Sequence, residues 1–191
     1  GSRRGATAHA SMSSELLAVR WAPDGAAILL AANDGTLYEI DARSLEVSRQ
    51  VAWDGGMAID AALSGDARTA VFGRGGKISI RDVATGRERV ALEYPGGGNG
   101  REISLSRDGR RLAAPMSDGR VRVWDAESGE VLSDVGRGPS HPSVVALSPD
   151  GARLVEGGLS ELTLGDADSG GKLGSLDLKG KRARVVEFSP K

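Results

Sequence analysis

The sequence predicts an all-β fold made of four consecutive copies of one four-stranded antiparallel sheet. A turn aspartate recurs every 42 residues, at Asp24, Asp66, Asp108 and Asp150. Each interval holds four short segments with alternating apolar residues, separated by turn dipeptides, a pattern typical of antiparallel strands. No segment has a sustained period of 3.6 residues, so we expect no helix.

The third copy, residues 101–142, shows the repeated unit most clearly. We predict its strands at Glu102–Ser106, Arg111–Ala114, Arg120–Trp124 and Glu130–Val135. Asp118-Gly119 favours a turn between the second and third strands, because glycine accepts a positive φ and aspartate can bond to its own backbone. Six aspartates are expected to brace turns of this kind: Asp24, Asp34, Asp66, Asp108, Asp118 and Asp150.

The other copies lie at about 15–56, 57–100 and 143–182, and the first strand of a fifth begins within 183–191. Residues 1–14 are small, polar and aperiodic, so we expect a disordered lead or a cloning remnant. Four short strands in each 40–45 residues are the signature of a β-propeller blade. The prediction is therefore a propeller of four blades and the start of a fifth, as part of a larger ring.

The repeated units resemble WD40 repeats. The residues that carry this resemblance are Ser148–Gly151, Asp118-Gly119, Val121–Asp125, Thr85-Gly86 and Ser128-Gly129. The resemblance covers about residues 15 to 190, and Ala31–Leu37 is also similar to the related YVTN repeats of bacteria. It implies a non-catalytic propeller scaffold that binds protein or peptide through loops on one face. The usage of Ala, Arg and Gly favours a bacterial source.

Charge and composition narrow the classes of partner. The 191 residues include 25 basic and 26 acidic side chains, so the net charge is -1. A balanced charge argues against a general nucleic-acid or anionic-membrane partner. The chain has no cysteine, and no apolar run approaches the roughly 18–20 residues of a membrane span. We therefore expect a cytoplasmic protein that binds neither nucleic acid nor membrane.

We expect no catalytic residue, no metal and no cofactor. The only histidines are His9 and His141, and His141 would need a neighbour on another blade to act as a base. Asp166–Gly171 with Asp177 resembles a Ca²⁺ loop but lies in a strand-turn-strand copy, which a polar hairpin turn explains. The glycine-rich stretch Tyr94–Arg101 lacks the Gly-Lys-Ser/Thr ending of a phosphate loop, so it is predicted to join two blades.

The loops between blades are where we expect a partner to bind. Trp53 and Tyr94 are the aromatics expected to be exposed there, whereas Trp21 and Trp124 are expected to pack between blades. The basic cluster 179–184 is predicted to be an inter-blade loop that fits an acidic or phosphorylated partner. The predicted partner-binding residues are Trp53, Tyr94, Arg101, His141, Lys181 and Arg182.

Two further questions stay open in the sequence. The alternative function is a small-molecule-binding or lactonase-like propeller that uses its central channel, which requires convergent polar or metal-binding residues near the axis. An open arc of four blades would expose apolar sheet faces, which are uncommon on monomers. We therefore expect self-association, most simply as a two-fold dimer approaching eight blades, or a longer chain; a small closed four-blade ring is the competing arrangement.

Overall fold

The computed structural model describes residues 14–53, 56–94, 103–135 and 144–189. These residues form four antiparallel sheets of four strands each, and they contain no helix. The predicted all-β architecture of repeated four-stranded sheets is thereby confirmed. In every sheet, strands that are consecutive in the chain are hydrogen-bonded neighbours.

The strands take up the apolar alternating segments of the sequence. The first sheet contains β1 (Leu16–Trp21), β2 (Ala27–Ala32), β3 (Leu37–Asp41) and β4 (Val47–Val51). The second contains β5 (Asp60–Leu63), β6 (Thr69–Arg74), β7 (Lys77–Asp82) and β8 (Glu88–Glu93). The third contains β9 (Ser104–Leu105), β10 (Arg111–Pro115), β11 (Val121–Asp125) and β12 (Val131–Val135). The fourth contains β13 (Val144–Leu147), β14 (Arg153–Gly157), β15 (Leu159–Asp166) and β16 (Lys172–Arg182).

The chain's last described part differs from the prediction in two ways. β16 extends to Arg182, so much of the predicted basic loop 179–184 belongs to a strand, and Arg182 pairs with Leu159 across the hairpin. Residues 183–189 form no strand, although a fifth first strand was predicted there. A strand requires a hydrogen-bonded neighbour, and none of the described strands pairs with this segment.

The turns between first and second strands share one hydrogen-bond arrangement. In the third sheet, the Ser106 hydroxyl donates to Asp108 at 2.7 Å and accepts the Arg111 N–H at 3.0 Å. Ser64 and Ser148 make the same two bonds in the second and fourth sheets, and Ala22 stands in this place in the first. All six predicted turn aspartates accept a hydrogen bond from the backbone N–H two residues later.

A second set of aspartates closes the turns between third and fourth strands. Each carboxylate accepts the backbone N–H and the hydroxyl of a serine or threonine three residues later. These bonds hold the pKa of the four carboxyls below the usual value. The four aspartates are Asp41, Asp82, Asp125 and Asp166.

The core consists of three layers of apolar side chains between neighbouring sheets. Between the first and second sheets lie Leu29, Ala31, Leu37, Ala61, Leu63 and Phe72. Between the second and third lie Val71, Ile78, Ile80, Leu112, Ala114 and Trp124. Between the third and fourth lie Ala113, Val121, Val123, Val145, Leu147 and Leu154. Each inner sheet is therefore apolar on both faces.

Backbone hydrogen bonds join the sheets where their first strands end. The Asp66 N–H donates to the Arg107 carbonyl at 2.9 Å, and the Arg107 N–H donates to the Pro149 carbonyl at 2.9 Å. One peptide segment of the third sheet therefore bonds to both neighbours. This connection fixes how the first strands approach one another.

Candidate functional site

A cleft of about 450 Å³ opens between the first and second sheets, on the side where β4 ends and β6 turns into β7. We call it the Trp53 cleft. Its apolar floor is formed by Trp53, Ala58 and Phe72, and its charged rim by Arg74, Lys77, Arg81 and Glu88. Three cations face one carboxylate, so the rim is positively charged.

Trp53 is fixed in the floor by its neighbours. Its ring meets Phe72 edge-on, with the ring centroids 4.2 Å apart and the planes at 82°. Gly86 makes room for the indole, because a Cβ at that position would come within 2.8 Å of Nε1. The Nε1–H is buried and has no hydrogen-bond partner among the described residues. An unpaired buried donor costs about 1–3 kcal/mol, so this group could gain from a ligand acceptor that reached it.

Arg81 also contacts the indole of Trp53. Its guanidinium carbon lies 4.9 Å from the Trp53 ring centroid, within the range of a cation–π contact. The guanidinium donates to the Ser79 hydroxyl at 2.8 Å, the Gly86 carbonyl at 3.2 Å and Glu88 at 3.2 Å. Arg81 is therefore a structural member of the rim with its donors largely in use.

Arg74 and Lys77 are the cations of the rim that remain available. Arg74 is exposed and lies against Gly56, where a Cβ would come within 2.6 Å of its Nη2. It has no ion-pair partner in the part of the chain that the structure describes. Lys77 approaches Glu93 only to 3.8 Å, and both side chains are exposed, so this pair contributes little.

The arrangement can hold an apolar side chain beside a carboxylate or phosphate. The aromatic floor removes apolar surface from water, and aromatic residues with arginine dominate binding hot spots. A guanidinium without a partner can donate charge-assisted hydrogen bonds to an anion at the rim. Among the described lining residues, the Ser79 hydroxyl donates to the Glu88 carboxylate at 2.5 Å.

The structure separates the predicted partner-binding residues from one another. Trp53 forms the cleft, but Tyr94 is 4% exposed, so the prediction that it is an exposed aromatic is wrong. Tyr94 packs in the layer between the second and third sheets, and its hydroxyl donates to the Pro115 carbonyl. Burial raises the pKa of Tyr94 to about 12. Arg101 and His141 lie outside the described residues.

The basic pair Lys181 and Arg182 lies elsewhere. Both are exposed at the end of β16 in the fourth sheet, and neither lines the Trp53 cleft. The predicted partner-binding residues did not include Phe72, Arg74 and Arg81, which are in strands of the next copy. The sequence did contain a signal for Arg74, because this residue directly precedes the glycine turn of the second sheet. In the structure, that turn lies beside the end of the first sheet.

The other two tryptophans differ in how far they are exposed to solvent. Trp124 is 2% exposed and packs between the second and third sheets as expected. Trp21 is 58% exposed, so the expectation that it packs between sheets is wrong for this residue. The reason is that the first sheet has a neighbour on one face only.

A second cavity of about 420 Å³ lies where the first strands of all four sheets approach one another, and we call it the inner cavity. Its polar lining includes Arg20, Arg107 and Glu187, and its apolar lining includes Leu105, Ala146 and Phe188. Among the described residues, no group of three metal-ligating side chains occurs there or elsewhere. Asp166 of the calcium-like loop bonds Ser169 instead.

No protein-family model matches the sequence, and no curated protein is significantly similar to it. Within the described residues, no helix has the length and apolar character needed to cross a membrane.

Proposed function

We propose that the chain is a WD40-like β-propeller segment, a non-catalytic scaffold that binds an acidic peptide segment of a partner protein at the Trp53 cleft. The observation that carries this proposal is the combination of an aromatic floor with the exposed guanidinium of Arg74, which has no ion-pair partner among the described residues. Loops and strand ends on a rigid scaffold are where binding residues concentrate.

The repeated sheets support the propeller assignment. Each sheet is built from four consecutive strands, neighbouring sheets pack face to face, and the first strands border one inner cavity. This is the arrangement expected when blades are placed around an axis. The 42-residue recurrence of the turn aspartates supports the same assignment.

The peptide class follows from the chemistry of the cleft. A volume of about 450 Å³ admits one or two side chains rather than a folded domain. Of the four charged rim residues, three are cations, and Arg81 is already paired with Glu88. The favoured ligand is therefore a segment with an aspartate or glutamate next to a leucine or aromatic residue. A phosphorylated residue in place of the acid would present the same anionic chemistry.

The proposal can be tested with an array of short peptides that pair one acidic residue with one apolar residue, followed by affinity measurement for those that bind. We expect Arg74→Glu to weaken binding about 10- to 100-fold, because a hydrogen bond to a charged group contributes about 1.5–3 kcal/mol. Arg110→Glu is the matched control, since Arg110 is also an exposed arginine and lies at a turn of the third sheet. Equal losses in both variants, or none in Arg74→Glu, would contradict the proposed site.

A small-molecule site in the inner cavity is the second candidate. It is favoured by one observation, the approach of two arginines and Glu187 in a space bordered by all four sheets. Such a site would take an anionic small molecule rather than a metal-dependent substrate. Calorimetry with small di- and tricarboxylates distinguishes the two candidates, because Arg20→Ala should abolish that binding while Arg74→Glu leaves it unchanged.

A further inference from the structure

The first and fourth sheets each expose one apolar face. On the first sheet, the face turned away from the second sheet carries Val19, Trp21, Ile28, Leu30 and Tyr38. On the fourth sheet, the face turned away from the third carries Val155, Leu162, Leu164 and Leu176. We call these the first and the fourth free face.

The first free face is apolar, like the equivalent faces that are buried elsewhere in the molecule. Trp21 stands 42 residues before Leu63, which is 3% exposed between two sheets, whereas Trp21 is 58% exposed. Ile28 likewise corresponds to Ala70, which is fully buried. The apolar side chains of the first free face therefore occupy positions that contact a preceding sheet in the other copies.

The fourth free face corresponds to the faces that contact a following sheet. Val155 stands at the place of Leu29, Val71 and Ala113, each of which is almost completely buried. Leu164 is 36% exposed, and its counterparts Ile80 and Val123 are fully buried. These positions are apolar in the second and third sheets as well, but among the described residues no following sheet packs against them in the fourth.

The two free faces are therefore the two halves of one interface that the molecule already builds three times. We propose that the fourth free face of one copy of this chain packs against the first free face of a second copy. The contact is head-to-tail and repeats the packing between consecutive sheets. This proposal does not depend on the peptide site in the Trp53 cleft.

Two such contacts can close a symmetric pair. If the first sheet of each copy packs on the fourth sheet of the other, two identical contacts form around a two-fold axis, and the pair contains eight sheets, twice the four of one chain. Closure removes both apolar faces of each copy from water, which is the driving force for the association. An open head-to-tail chain would leave two faces exposed at its ends.

In the single chain, residues 183–189 cover part of the fourth free face. Ala183 packs near Gly157, and Val186 and Phe188 border the inner cavity beside Ala146. At the interfaces between consecutive sheets, the first strand of one sheet lies beside the first strand of the following sheet, as β5 lies beside β1. The partner's β1 would thus displace this segment, while Leu164 and Leu176 on the outer strands are exposed already.

Light scattering after size-exclusion chromatography, over a wide range of concentration, tests the proposal. The unmodified chain should reach about twice 19.7 kDa as concentration rises. Trp21→Glu and Leu164→Glu should each remain at the mass of one chain, because each removes a different half of the same contact. Val131→Glu is the control, since Val131 is half exposed on the third sheet and belongs to neither free face.

Mixing the two variants gives the decisive result. An equimolar mixture of Trp21→Glu and Leu164→Glu contains one intact fourth face and one intact first face, so a mixed pair with one good contact should form again. If Trp21→Glu stays monomeric while Leu164→Glu still forms a dimer, the contact joins two first sheets face to face. That result would overturn the head-to-tail arrangement. A single species near 19.7 kDa at every concentration would overturn self-association altogether.

Discussion

The first and second sheets have the same strand order and equivalent turns, but they are supported differently. The second sheet packs on both faces, against the first sheet and against the third, whereas the first sheet packs on one face. Trp21, the larger apolar residue, consequently contributes less buried surface than Leu63 at the equivalent place. The comparison teaches that burial in a repeat depends on which neighbours a copy has as much as on its own residues.

The two sheets also differ at the turn between their first and second strands. In the second sheet, the buried Ser64 hydroxyl donates to Asp66 at 2.6 Å and accepts the Thr69 N–H at 2.9 Å. In the first, Ala22 has the same backbone bonds around the turn but no hydroxyl. The outer copy thus lacks a polar brace as well as a neighbour.

The largest expected effect is a core truncation that exploits the difference in burial. Leu63→Ala should lower the free energy of unfolding by about 2–5 kcal/mol, because it leaves a cavity between two sheets. Trp21→Ala removes more atoms but should cost less, because most of the indole is exposed to solvent. Urea denaturation at dilute protein concentration measures both losses. An equal or larger loss for Trp21→Ala would show that its face is covered in the single chain.

Removing or adding the turn serine should change stability less than the core truncation does. The two substitutions should have opposite signs. Ser64→Ala should destabilise the protein by about 1–3 kcal/mol, because the buried Thr69 N–H loses the hydroxyl that accepts its hydrogen bond. Ala22→Ser should stabilise it by about 0.5–1.5 kcal/mol, because the new hydroxyl can bond Asp24 and the Ala27 N–H. Thermal unfolding of the two single variants checks the pair. The explanation fails if Ala22→Ser is destabilising while its backbone bonds persist.

The smallest difference between the two sheets is expected in their response to acid. Asp41 in the first sheet and Asp82 in the second both have a lowered pKa, held by bonds from Ser44 and Thr85 respectively. A carboxyl with a lowered folded-state pKa contributes stability above its unfolded pKa, about 3.9, and loses it as pH falls through the folded value. Unfolding free energies should therefore decline below about pH 4.

Asparagine variants test this acid response. Asp41→Asn and Asp82→Asn should each flatten the decline by a similar amount, since the turns are equivalent in both sheets. Urea denaturation between neutral and acidic pH measures the slope. A variant slope equal to that of the unmodified chain would mean that other carboxyls cause the acid sensitivity.

Local features were predictable because they depend on neighbouring residues in the chain. The 42-residue recurrence of Asp-containing turns located every sheet, and the predicted strands of the third copy agree with β9 to β12 within two residues. Alternation along Arg120–Trp124 likewise identified a strand, which buries Val121 and Val123 on one face and Trp124 on the other. Turn geometry and strand alternation both act over a few residues, so one sequence contains them.

Features that depend on contacts between copies were not predictable. Nothing in the sequence near Tyr94 indicates that its hydroxyl reaches Pro115, which is 21 residues away. Arg81 and Trp53 are similarly joined only after two sheets pack. The sequence therefore predicted only one residue of the candidate site, Trp53. The cationic rim of that site belongs to a different copy of the repeat. Such contacts require the relative placement of sheets, which alternation does not encode.

Each sheet is formed by one uninterrupted stretch of chain, and this determines how the molecule comes apart. Opening the first or the fourth sheet breaks one inter-sheet layer, whereas opening the second or the third breaks two. Partial unfolding should therefore proceed inward from the ends, as in a linear array of nearest-neighbour units. Amide hydrogens of β3 and β15 will exchange with solvent early, and those of β6 and β10 will persist longest. During synthesis the order follows the chain from the first sheet to the fourth, because each sheet can form as soon as its own strands leave the ribosome and then provides the surface on which the next sheet packs.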